Sequence, residues 1–162
     1  MRPLAILPIL AIALLCSGCI TERKLQLSPI ILASQYYGPR NYTEVPGDLL
    51  GDDETVYFYA EVKGFQTKKV GPHYEFWVTI DISLADAAGN LYFEKKTEKE
   101  MHVTNATEKP GYVYYKYPYY TGSLVLSGAY LVKIVATDKL SGTFVETSKE
   151  FQLNLSMTRT EG

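Results

Sequence analysis

Cysteine is almost missing from this chain. Cys16 and Cys19 are the only two among 162 residues. Everything beyond residue 19 is therefore free of disulfides and has to fold on its apolar core alone. Histidine is as scarce, with His73 and His102 the only pair. A zinc site or a Ser-His-Asp triad would have to use one of them, and neither sits in a cluster of ligand-type residues. G-x-S-x-G and phosphate-cradling glycine loops are absent as well. The expectation is a chain that is not an enzyme and carries no metal and no cofactor. Net charge is only −2, from 16 basic and 18 acidic residues. Lys68-Lys69 and Lys95-Lys96 read as ordinary solvated pairs, so no basic patch points to nucleic acid as a partner. Helical periodicity is hard to find after residue 20.

Long apolar runs are missing too, with one exception at the start. Met1-Arg2 gives a minimal positive end, and Pro3 to Leu15 is apolar throughout. That run is short for a membrane span, which takes about 20 residues, and has the length of a signal-peptide core. It leads into Cys16-Ser17-Gly18-Cys19. Small residues closing on a cysteine resemble the lipobox of prokaryotic lipoprotein precursors. The resemblance implies cleavage between Gly18 and Cys19 and a lipid on Cys19, with Cys16 leaving in the signal peptide. The family places Leu three positions before the cleavage point, where this chain has Cys16 and sets Leu15 one place further out. The competing reading of the run is an uncleaved signal anchor, against which Pro3 and Pro8 count. Without residues 1–18 the chain has 15 basic and 18 acidic residues, a net charge of −3.

What is abundant favours strands. Fourteen Tyr and six Phe accompany many Val, Ile and Thr, residues that suit a pleated, half-buried surface. Val56, Phe58, Ala60 and Val62 alternate with Tyr57, Tyr59, Glu61 and Lys63. Tyr74, Phe76, Val78, Ile80, Ile82 and Leu84 alternate with Glu75, Trp77, Thr79, Asp81 and Ser83 over a longer stretch. Asp86 to Asn90 is a turn with Gly89 available for positive φ. Leu91–Lys96 and Glu98–Thr104 read as two short peripheral strands. Pro118 puts the Tyr112–Tyr120 ribbon at an edge. Gly128 to Thr137, apolar on both faces, reads as a central strand, closed by an Asp138–Gly142 hairpin before a last strand from Thr143 to Leu155. Pro29 confines Leu25–Leu32 to an opening edge strand, and Gln35–Leu50 reads as a long loop.

These signals predict an all-β fold, an antiparallel two-sheet sandwich of about seven or eight strands. Gly128-Ala129-Tyr130-Leu131-Val132, followed by Asp138-Lys139-Leu140-Ser141-Gly142, resembles the last hairpin of immunoglobulin-like and fibronectin-like domains. Asp86 to Asn90 resembles the D-x-x-G-N turn of prokaryotic immunoglobulin-like modules. With Gly18-Cys19-Ile20, the whole chain resembles archaeal lipoproteins carrying such a domain. The expected divisions are a signal peptide over 1–18, lipidated Cys19 with tether, edge strand and loop over 19–47, the sandwich over 48–156, and a tail over 157–162.

Function is expected from exposure rather than from a motif. Trp77, Tyr115, Tyr117 and Tyr119 are the candidate binding residues, because exposed Trp and Tyr give contact area at low entropic cost. Tyr57 and Tyr59 also fall on an outer face by parity. The plainer reading is that such rings cover neighbouring strands or pack under the Gln35–Leu50 loop. Asp48, Asp52, Asp53 and Glu54 lack the spacing of a calcium loop and read as an acidic turn. Three of the four asparagines, Asn41, Asn105 and Asn154, lie in N-x-S/T sequons, which suits an exported chain. The expected function is a non-catalytic interaction module on the extracytoplasmic side of a cell membrane, held there by its lipid anchor and offered to a protein or glycan partner. The alternative is a module that binds carbohydrate or cell-envelope polymer.

Overall fold

The computed structural model describes residues 24–124 and 126–155. Cys19, the Gly18-Cys19 cleavage point and the residues of the 1–18 signal segment lie outside them. Among the described residues the chain forms eleven strands and two single 3-10 turns. The strands are β1 (Gln26–Leu27), β2 (Ile31–Gly38), β3 (Asn41–Glu44), β4 (Leu49–Gly51), β5 (Thr55–Lys63), β6 (Lys68–Val70), β7 (His73–Asp86), β8 (Leu91–Ala106), β9 (Tyr112–Tyr120), β10 (Gly128–Asp138) and β11 (Phe144–Asn154). In one sheet β5 is central, with β9 on one side and β1, β2 and then β3 on the other. In the second, β7 pairs with β8 and with β10, β10 with β11, and β11 with β4, while β6 pairs with the first residues of β7. The fold is a two-sheet immunoglobulin-like sandwich.

The alternation read from the sequence is the alternation of the core. Val56, Phe58, Ala60 and Val62 of β5 face Val78, Ile80, Ile82 and Leu84 of β7, with Val132, Ile134 and Ala136 of β10 alongside; all are buried. Each large aliphatic or Phe side chain removed from water there contributes about 1.5–3 kcal/mol. Tyr130 stacks on Phe151 at 5.7 Å and its hydroxyl donates to the Leu126 carbonyl at 2.7 Å. This is the tyrosine corner of immunoglobulin-like domains, where a tyrosine at the start of the penultimate strand ties down the preceding connection. The two turns form as expected. The Asp86 carboxylate accepts from the Ala88 and Asn90 backbones, and Gly142 takes φ 73° after buried Asp138.

Four expectations change. The Gln35–Leu50 loop is instead the β2–β3 hairpin followed by β4. Pro39-Arg40 forms its two-residue turn, with Arg40 at φ 59°. The sandwich therefore begins at Leu25 rather than near Asp48, since Leu25, Ile30 and Leu32 are core residues. The two short strands after Asn90 are one strand, β8. Thr97, at φ 51°, forms a bulge within it and donates its N–H to Asp81 at 2.7 Å. The pairing is not wholly antiparallel, because β4 crosses to the second sheet and runs parallel to β11. Pro46-Gly47 makes that crossing, with Gly47 in the left-handed region at φ 64°.

Candidate binding site

On β5 the outward residues are Tyr57, Tyr59, Glu61 and Lys63. The bulged β2–β3 hairpin folds across this outer face and lays Tyr36 and Tyr42 on it. Tyr42 lies 5.2 Å from Tyr59, Tyr36 lies 5.9 and 6.1 Å from Tyr59 and Tyr57, and Tyr114 of β9 completes the group at 6.2 Å from Tyr59. Tyr59 is only 2% exposed. Cations lie over the rings: Lys116 sits 4.6 Å from the Tyr36 centroid, and Arg40 sits 4.2 Å above Tyr112. Such contacts add about 0.5–2 kcal/mol according to how dry they are.

Arg40 also holds the hairpin down. Its Nε and Nη2 donate to Glu61 at 2.6 and 2.8 Å, the Tyr59 hydroxyl donates to Glu61 at 2.9 Å, and the Lys63 ammonium lies 3.1 Å away. The Arg40 hydrogen bonds come first among the causes that lower the Glu61 pKa from 4.5 to about 2, against a desolvation that raises it. Burial, and then donation to Glu61, push the Tyr59 hydroxyl well above the ordinary tyrosine range. With Glu61 answered in this way, the face presents Lys116 and the surplus charge of Arg40 and Lys63. It is cationic in a chain whose net charge is −2.

The same strand β9 forms one wall of a cleft at the seam between the sheets. Lys99 and Met101 of β8 stand across from Tyr112, Val113, Tyr114, Tyr115 and Lys116, enclosing about 640 Å³. That volume is within the range of small-ligand sites. Further along, the seam is closed by Phe93, 5.6 and 5.4 Å from Tyr117 and Tyr119. Tyr115 is 3% exposed, and its buried hydroxyl has no hydrogen-bond partner among the described residues. Burial pushes that hydroxyl far above the ordinary tyrosine range.

The structure does not bring the four candidate binding residues together. Tyr115, Tyr117 and Tyr119 were expected to be exposed, and they point inward instead. Tyr115 is in the core, and the other two pack partly buried against it. The reason is register: Val56, Phe58, Ala60 and Val62 of β5 lie opposite Tyr119, Tyr117, Tyr115 and Val113, so the odd-numbered residues of β9 share the inner face. Tyr112, Tyr114, Lys116 and Tyr120 take the outer side. Trp77 does lie on an outer face, but on the other sheet. There it stacks on His102 at 4.5 Å and donates to Glu100 at 2.8 Å, while His102 lies 3.3 Å from Glu75. The Tyr57–Tyr59 pair follows the plainer reading, covered by residues of the 35–50 segment.

Tyr36, Tyr42 and Tyr114 are the site residues that sequence reasoning missed. Tyr114 is found only from the register of β9 on β5, which turns the even-numbered residues of β9 outward. Nothing in the sequence marks the fold-over of Tyr36 and Tyr42. In the acidic turn, Asp53 accepts from the Tyr120 hydroxyl at 2.9 Å, Glu54 from the Gly51 backbone at 3.2 Å, and Asp48 pairs with Lys149. Among the described residues no group of three or more His, Cys, Asp or Glu is placed to hold a metal ion. Asn41, Asn105 and Asn154 are all exposed. Ser156, which completes the third sequon, lies outside the described residues.

No protein-family model matches the chain, and no curated protein does. Solved structures resemble its fold. The C-terminal domain of wzt superposes with a TM-score of 0.54 at 11% identity, covering 82% of this chain and 75% of that one. The Pseudomonas fluorescens alkylpurine DNA glycosylase AlkC, bound to DNA containing an abasic site analog, gives 0.49 at 10% identity, over 80% of this chain and 30% of its own. A CARDB domain from Pyrococcus furiosus gives 0.36 at 14% identity, over 82% and 97%. At 11% identity the likeness to the wzt domain is one of fold.

Proposed function

We propose that this chain is a non-catalytic binding module tethered by a lipid on Cys19 to the extracytoplasmic face of a cell membrane, and that its partner docks on the outer face around β5 and β9. The gathering of Tyr36, Tyr57, Tyr59 and Tyr114, with Lys116 over Tyr36 and Tyr57 and the seam cleft beside them, carries the reading. Rigid rings with a polar tip, and arginine beside them, are enriched at recognition surfaces. The tether rests on the run from Pro3 to Cys19. Two long acyl chains there would hold the sandwich stably, where one gives marginal binding. Replacing Cys19 by Ser should release the cleaved chain from membranes into the soluble fraction, and unchanged retention would remove the lipid from the account.

Carbohydrate or cell-envelope polymer is the partner class best matched to this face, because a sugar ring can stack on exposed Tyr114 and acidic sugars pair with Lys99, Lys116 and Arg40. A glycan array probed with the full chain in detergent micelles tests this. The expected result is binding that Lys116→Glu weakens at least about tenfold, or ~1.4 kcal/mol. An array with no signal above a charge-matched control would exclude glycans and leave a protein partner. Exposed Asn41 and Asn105 suit an exported, glycosylated chain, and a mass shift on glycosidase treatment of the native protein would show that the sequons are used.

A further inference from the structure

The two ends of the sandwich carry opposite charge. One end gathers the start of β1, the end of β5, the β6–β7 hairpin, the β8–β9 loop and the β10–β11 turn. Gln26 and Tyr112 both pair with Lys63, and Lys68–Val70 pair with His73–Glu75. The Lys139 N–H donates to the Trp77 carbonyl at 2.8 Å, and the Gln66 N–H donates to the Asp138 carboxylate at 2.7 Å. Lys24, Lys68, Lys69, Lys109 and Lys139 come to this end, all exposed. They are scattered in sequence, and only the fold collects them. The carboxylates nearby are Glu108, Glu75, which lies against His102, and Asp138, which is buried and accepts from its own hairpin. The opposite end has the reverse character. Its segments 46–54, 87–90, 121–124 and 126–127 contain Asp48, which pairs with Lys149, and Asp52, Asp53 and Glu54 beside Asp86 at the end of β7, with no Lys or Arg of their own.

We propose that the lysine end is a docking surface for anionic lipid headgroups, seating the sandwich on the membrane that holds its anchor. The inference rests on the tethered reading above. Two observations select this occupant. The chain enters the fold at this end, where Gly64 lets the Lys24 carbonyl pass so close that a Cβ would collide with it. Cys19 lies six residues before Leu25, so the anchor reaches at most about 20 Å from the domain. The charge is also complementary. Each lysine close to an anionic leaflet improves association about fivefold, and the benefit fades within a Debye length of about 8 Å. The acidic end is repelled, so the strands stand away from the membrane and the tyrosine face stays open at the side.

The test uses the lipidated full chain in vesicles of phosphatidylglycerol and, separately, of phosphatidylcholine, with amine acetylation read by mass spectrometry. Lys68, Lys69, Lys109 and Lys139 should be protected by about fivefold or more in phosphatidylglycerol alone, and about 0.5 M salt should remove the protection. Lys96 and Lys133, in the middle of the sandwich, should label equally in both. In Lys68→Glu/Lys69→Glu, protection of Lys109 and Lys139 should disappear while the thermal unfolding midpoint stays in place. Equal labelling of the end lysines in both lipids would overturn the proposal, as would protection of Lys133 to the same degree. A chain that sediments with neither vesicle contradicts the tether itself. A chain that stays on the vesicles with its end lysines unprotected contradicts only the seating.

Discussion

β5 and β7 occupy equivalent places, each an inner strand beside an edge strand of its sheet, and each turns an unbroken apolar row inward. They differ in what lies over the outward row. On β5 the β2–β3 hairpin folds across, so Tyr59 and Glu61 are 2% and 6% exposed and the strand is covered on both faces. On β7 the outward residues Glu75, Trp77, Asp81 and Ser83 keep partial contact with water, and Thr79 between them is buried. Trp77 leans on His102 and Glu100 of its own sheet, and among the described residues no second layer covers it. Sequence parity assigns a residue to a face; it does not say whether that face is the surface. The outer face of β5 is a second, small core with charged groups built into it, and its uncovered margin along β9 is where the proposed partner docks.

The sharpest way to break this contrast is Tyr59→Ala. It should cost about 3 kcal/mol, as a core aromatic does, and lower Tm by roughly 9 °C. A loss under about 1 kcal/mol would mean that the hairpin does not cover β5.

Glu61→Ala comes next. It leaves the buried Tyr59 hydroxyl without its acceptor and should cost about 2 kcal/mol at neutral pH. Because the folded-state pKa of Glu61 is lowered from 4.5 to about 2, the carboxylate's contribution is complete above pH 4.5 and is lost as pH falls toward 2. Unfolding measured from pH 6 down to pH 2 should show wild type and variant converging over that window. A gap that stays constant would place the cost elsewhere.

Trp77→Ala tests the other side of the comparison. Losing one ring stack and one side-chain hydrogen bond on an open face should cost about 1 kcal/mol. A cost equal to that of Tyr59→Ala would show a covering layer on β7 as well. The smallest effect belongs to Phe144→Ser, at the start of β11 and 69% exposed. It should stay within about 0.5 kcal/mol of wild type in denaturant unfolding.

The parts of the fold that were legible in the sequence are those where one physical signal acts alone. Period-two alternation located β5 and β7, and a run apolar on both faces located β10. Asp86–Asn90 and Asp138–Gly142 announced their turns through Gly89 and Gly142, and Gly128-Ala129-Tyr130 pointed to the last hairpin of an immunoglobulin-like domain. What stayed hidden depends on two segments meeting. Gln35–Leu50 looks like a loop because Pro39 and Pro46 interrupt it. Its strands are short, and they are held by Arg40 reaching Glu61, a contact between residues 21 apart. Alternating tyrosines from Tyr112 to Tyr120 fill both faces, so parity alone leaves β9 without a direction until its register with β5 is known. The end lysines were invisible for the same reason, scattered along the chain and adjacent only in the folded protein.

The central claim is that the partner binds the β5–β9 face and not the β7 face. Glycan-array binding of the full chain in detergent micelles, compared between Tyr114→Ala and Trp77→Ala, tests it most directly. The account predicts a loss of at least about tenfold for Tyr114→Ala and wild-type binding for Trp77→Ala. Binding that survives Tyr114→Ala and disappears in Trp77→Ala would contradict it.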